Sequence, residues 1–92
     1  MYAGQITIWD DHPSRAVNIH GKLVAAMQKM KIKASISIQS EPPLIARQNL
    51  TGKTPTIEIA GAYWCKTPGT EPDETDIANL LHKVFVEMPE AM

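Results

Sequence analysis

Cysteine is nearly missing from this chain. Its 92 residues include one, Cys65, so no internal disulfide can staple the fold and a reducing compartment, the cytoplasm, is the expected location. Phenylalanine occurs once, and tryptophan and tyrosine twice each, which leaves the core to aliphatic residues. A large charge imbalance is also missing: nine Lys and Arg against ten Asp and Glu give a net charge of −1. That argues against a nucleic-acid binder that relies on bulk positive charge. No stretch approaches the roughly 18 apolar residues that cross a bilayer, and the opening MYAGQITIWDDHP has neither the basic segment nor the long apolar segment of a secretory leader. No membrane association is expected.

What is present reads as one α/β domain over residues 1–92, with 43% hydrophobic and 21% charged residues, close to ordinary globular usage. Residues 5–9 (QITIW) alternate polar and apolar and predict a short strand. Asp10-Asp11-His12-Pro13-Ser14 stops it and opens a helix, since proline suits a first helical turn. Ala16, Ile19, Leu23, Ala26/Met27 and Met30 recur at steps of three and four, which predicts a helix over 14–30. Gly21 inside it suits a close approach to another element. Lys29, Lys31 and Lys33 are the nearest thing to a basic run, and a helix end followed by a solvated strand entry explains them.

Residues 33–39 (KASISIQ) alternate cleanly, with Ala34, Ile36 and Ile38 on one face and Ser35, Ser37 and Gln39 on the other. Strand, helix and strand form a βαβ unit, which favours a parallel pair. Ser40-Glu41-Pro42-Pro43 opens a short helix through Leu44, Ile45 and Gln48 that Gly52 ends. Thr54–Ala60 predicts a strand, Ala60-Gly61-Ala62 a turn and Tyr63–Lys66 the returning strand of a hairpin. A loop over 67–72 leads to a last helix at 73–85, whose buried stripe is Ile77, Leu80/Leu81 and Val84, extended by Met88. Residues 87–92 are expected to form a frayed tail.

The order β-α-β-(α)-β-β-α, with Lys53-Thr54-Pro55-Thr56-Ile57-Glu58-Ile59-Ala60-Gly61 opening the second half, resembles the small thioredoxin-like and glutaredoxin-like proteins. The resemblance implies a thioredoxin-like fold: a four-stranded mixed sheet flanked by helices. It implies a cis Thr54–Pro55 bond, with the Thr54 backbone facing the start of the 14–30 helix. In the family that backbone pairs with a bound peptide or thiol substrate. The family carries Cys-x-x-Cys where this chain reads Asp10-Asp11-His12-Pro13-Ser14-Arg15. With both sulfurs missing, dithiol–disulfide exchange by the usual route is excluded.

Little else in the sequence carries chemistry. Cys65 is either a reactive thiol or, as free cysteine usually is, a small apolar residue in a strand. Asp10, Asp11 and His12 could act as acid and base or hold a metal, but their spacing matches no ligand motif, and helix capping accounts for them. Ser14 beside His12 makes no triad, and no G-x-S-x-G turn is present. Gly52-Lys53-Thr54 ends like a phosphate loop but precedes a strand instead of a helix. Adjacent strand residues face opposite ways, so Tyr63 and Trp64 cannot share one core face.

The residues favour a non-catalytic module that binds a protein partner or forms a homodimer, through an exposed sheet edge or the surface around Pro55. No catalytic residue, cofactor or metal is expected. If a ligand binds, the fold that the resemblance implies would place it at Asp11, His12, Ser14, Thr54 and Pro55. The alternative is a thiol-handling protein that uses Cys65 or the His12/Thr54-Pro55 region.

Overall fold

Isoleucine rows organise the molecule. The computed structural model describes residues 2–59 and 61–87. Four strands, β1 (Tyr2–Trp9), β2 (Lys33–Gln39), β3 (Thr56–Ile59) and β4 (Ala62–Trp64), form a mixed sheet in the order β2-β1-β3-β4. β1 and β2 are parallel, and β3 runs antiparallel to both of its neighbours. The register lines up Ile36, Ile6 and Ile59 in one row and Ile38, Ile8, Ile57 and Trp64 in the next. Alternation puts all of these side chains on one face.

Two helices cover that face. α1 (Pro13–Met30) contributes Ala16, Ile19, Leu23 and Met27, and α3 (Glu74–His82) contributes Ile77, Leu80 and Leu81. With Phe85 they make one buried cluster around the isoleucines. The helical spacing read from the sequence is therefore the packed spacing. Helix α1 ends in a left-handed residue, Lys31 at φ 57°, and the Ile32 N–H reaches back to the Met27 carbonyl. This closure satisfies the last carbonyls and returns the chain to β2 within two residues. Asp73 caps α3, accepting the Asp76 N–H while the Asp76 side chain accepts the Asp73 N–H, a reciprocal box.

The opposite face is polar. Gln5, Thr7, Ser35, Ser37 and Glu58 lie there, with Gln5 donating to the Ser37 hydroxyl at 2.9 Å. Among the described residues, only one end is covered, where the short helix α2 (Pro42–Arg47) and the segment after it bring Ile45 and Leu50 onto Trp9. The helices thus flank the sheet unequally.

Several boundaries differ from the sequence reading. β1 starts at Tyr2 because a register irregularity between Tyr2 and Gln5, with Gly4 at φ 85°, extends the pairing. A bulge of this kind favours glycine. β3 starts at Thr56, since Pro55 offers no N–H to a ladder. β4 starts at Ala62 and ends at Trp64, where its pairing with Ile57 stops, so Cys65 follows the strand instead of lying in it. α2 ends at Arg47, before the left-handed Asn49 and well before Gly52. α3 gives way to a π-helical turn over Lys83–Glu87 that seats Phe85 in the core, so Glu87 belongs to this turn and not to a tail. Ala60, Met88 and the rest of the expected tail lie outside the described residues. Gly21 makes no close approach: a methyl group there would meet nothing within 4 Å, and the residue lines an open groove of about 630 Å³ between α1 and α3.

Candidate functional site

β1 delivers its last residues to the start of α1. Asp10 is wholly buried there. Its N–H donates to the Gln39 carbonyl on β2, which fixes its backbone, and its carboxylate accepts the His12 N–H at 3.0 Å. One helical turn on, Arg15 closes on it bidentately: Nε donates to Oδ2 and Nη2 to Oδ1, both at 2.7 Å. This is the strong fork geometry of guanidinium and carboxylate. The carboxylate beside it raises the Arg15 pKa, keeping the fork charged. The third Arg15 nitrogen, Nη1, donates to the Gly69 carbonyl at 3.1 Å, tying the loop after β4 to the helix start.

Asp11 lies above this pair and is exposed. The His12 ring Nδ1 sits 2.9 Å from Asp11 Oδ1. A carboxylate only accepts, so this contact takes a proton from Nδ1, the nitrogen that also lies 3.3 Å from Arg15 Nη2. The Thr54 hydroxyl donates to the same Asp11 oxygen at 3.1 Å. The hydrogen bond from His12, then that from Thr54, holds the Asp11 carboxyl below the ordinary range against its own partial desolvation.

Thr54 arrives just ahead of β3, the strand beside β1. The Thr54–Pro55 bond is cis, as the resemblance implies, and Thr54 borders the α1 start. Its carbonyl is occupied: the Gly69 N–H donates to it at 2.8 Å. Asp11, His12, Arg15, Thr54, Pro68 and Gly69 line a shallow cavity of about 440 Å³.

Of the residues singled out in the sequence, Asp11, His12 and Thr54 therefore meet in one place. Pro55 is buried behind them, and Ser14 is exposed and does not line the cavity. Arg15 and the 68–69 loop were missed. Arg15 falls off the apolar stripe, and only its place one turn after a strand-ending aspartate could have pointed to it. Asp10, Asp11 and His12 bring potential ligand atoms within 4.8 Å of one another, but the cation seated on Asp10 is the Arg15 guanidinium. The cluster is built as an ion-pair lattice. Among the described residues, no buried side-chain polar atom lacks a partner.

Cys65 is partly buried and lines a different concavity, about 540 Å³, with Leu50, Lys53, Thr56, Trp64 and Pro68. Trp64 packs on the core while Tyr63 is 48% exposed, the division that strand alternation requires. No helix among the described residues is long and apolar enough to cross a membrane. Compared with known proteins, the chain matches no family model, no curated protein and no solved structure.

Proposed function

We propose that this chain is a thioredoxin-fold module of the cytoplasm without dithiol redox activity, working by binding a protein partner or itself. The strand order β2-β1-β3-β4, the parallel β1-α1-β2 unit and the antiparallel β3-β4 hairpin followed by α3 support the thioredoxin-like reading.

One observation carries the functional part. The mouth of α1, where such a fold would offer sulfur, is filled by Asp10 locked to Arg15 and by Asp11 shared between His12 and Thr54. A thiol there would be made nucleophilic by the helix start; carboxylates already paired offer no counterpart. The Thr54 carbonyl, which would accept from an incoming backbone, already accepts from Gly69.

A second reading, thiol handling at Cys65, has one observation behind it: the thiol opens onto a concavity with Trp64 and Pro68. One experiment separates the two. Reduction of insulin by dithiothreitol is followed with and without the protein and its Cys65→Ser variant. The module reading expects the uncatalysed rate in all cases. Acceleration by the natural chain that Cys65→Ser abolishes would replace it with the thiol reading.

A further inference from the structure

The outer edge of β2 has a property that only a second copy of the same strand exploits in full. The Gln39 carbonyl points inward, accepting from Asp10 of β1. Backbone groups alternate along a strand, so Ser35 and Ser37 also turn theirs inward. Ala34, Ile36 and Ile38 present their N–H and C=O groups outward with no neighbouring strand among the described residues, because β2 ends the sheet. Their side chains are only partly buried, on the rim of the core. The usual protections of an edge are sparse: no proline, no bulge within the strand and one charge, Lys33, at its end.

We propose that this edge joins a second copy of the chain, β2 against β2, antiparallel about a two-fold axis through Ile36. The inference rests on the module reading above and names its partner. In this register Ile36 faces Ile36 of the second copy, and Ala34 faces its Ile38. These are the residues with outward backbone groups, so each pair exchanges two bonds, about six in all across the three pairs. Ser35 faces Ser37 on the polar side, and Lys33 faces Gln39, so no like charges meet. Small is set against large on the apolar side, and hydroxyl against hydroxyl on the other.

Charge at the strand ends selects the same arrangement. Lys29, Lys31 and Lys33 cluster where the chain enters β2, and Glu41 follows its exit; all four are exposed. Antiparallel pairing brings the lysine-bearing end of one β2 alongside the Glu41 end of the other, twice by symmetry. Parallel pairing would set the lysines against one another. The joined sheet would have eight strands with both helical layers on the same side, because the axis is perpendicular to the sheet.

Sedimentation of the full chain at high micromolar concentration tests this. The natural chain is expected to sediment as a dimer. Ala34→Pro removes an outward N–H and no internal bond, so it is expected to give a monomer with an unchanged far-ultraviolet circular dichroism spectrum. Glu41→Lys is expected to weaken the dimer several-fold, and Lys31→Glu combined with Glu41→Lys to restore it. A natural chain that stays monomeric, or a reversed pair that fails to restore what Glu41→Lys lost, would overturn the proposal even if Ala34→Pro does not fold. A redox-inert monomer would remove the β2 pairing and leave the module reading standing. Catalysed insulin reduction would do the reverse.

Discussion

Arg15 donates to both oxygens of an aspartate that has no solvent exposure. Breaking a buried pair by removing one member strands the other charge, at a cost of about 3–5 kcal/mol. Because Arg15 keeps some exposure, Arg15→Ala is expected at the lower end, about 3 kcal/mol, measured by urea unfolding. Asp10→Ala combined with Arg15→Ala should cost clearly less than the sum of the two single changes, since no orphaned charge then remains. Additive costs would mean that the pair is not the unit described. The Asp11 lattice is a weaker structure, because its carboxylate is exposed and surface pairs contribute little. Its part is orientation: it fixes the His12 ring and ties Thr54 to the mouth of the helix.

Helix α1 carries a defect with no structural use. Gly21 has helical backbone geometry, faces an open groove and would meet no atom through an added methyl group. Glycine inside a helix costs about 0.5–1 kcal/mol relative to alanine through its extra freedom in the unfolded chain. Gly21→Ala is therefore expected to raise unfolding stability by about that amount, read as a higher urea midpoint with an unchanged slope. A loss of stability would show that the groove between α1 and α3 is tighter than described. The same element shows how local rules and tertiary demands divide. Its apolar stripe was legible from spacing alone, because Ala16, Ile19, Leu23 and Met27 pack as the period requires. Its start was legible too, with Pro13 in the first turn, but the part played by the acidic residues before it was not: they serve Arg15, the His12 backbone and Thr54 rather than a side-chain cap.

At the scale of the whole molecule, three carboxyl groups among the described residues are held below their ordinary pKa. His12 does this to Asp11, Lys22 to Glu71 and Lys66 to Asp76. A depressed folded pKa means that the unfolded chain binds more protons in acid. The stabilisation is fully present above the unfolded carboxyl values, about pH 4, and is lost as pH falls through the lower folded values. The urea midpoint should hence be flat from neutral pH to about 5 and decline below about 4. A midpoint that rises on acidification would contradict these pairs.

Order and type of elements could be read from the sequence because alternation and helical spacing are local signals: KASISIQ is β2 to the residue. What could not be read was set by contacts far apart in the chain. Gly69 reaches Thr54 and Arg15 reaches Gly69, so the loop completing the helix mouth comes from more than fifty residues beyond α1's first turn. The start of β3 was misplaced because Pro55 has no N–H to give, and both ends of β4 because a ladder stops where its partner does.

The unequal coating of the sheet has a geometric corollary. Its serine and glutamine side keeps its hydration, so a neighbour lying flat on it would have to strip water from hydroxyls, an amide and the Glu58 carboxylate with little oil to offer in return. Stacking through this face is disfavoured, and assembly through the sheet extends in the plane of its strands, as a ribbon that widens without thickening.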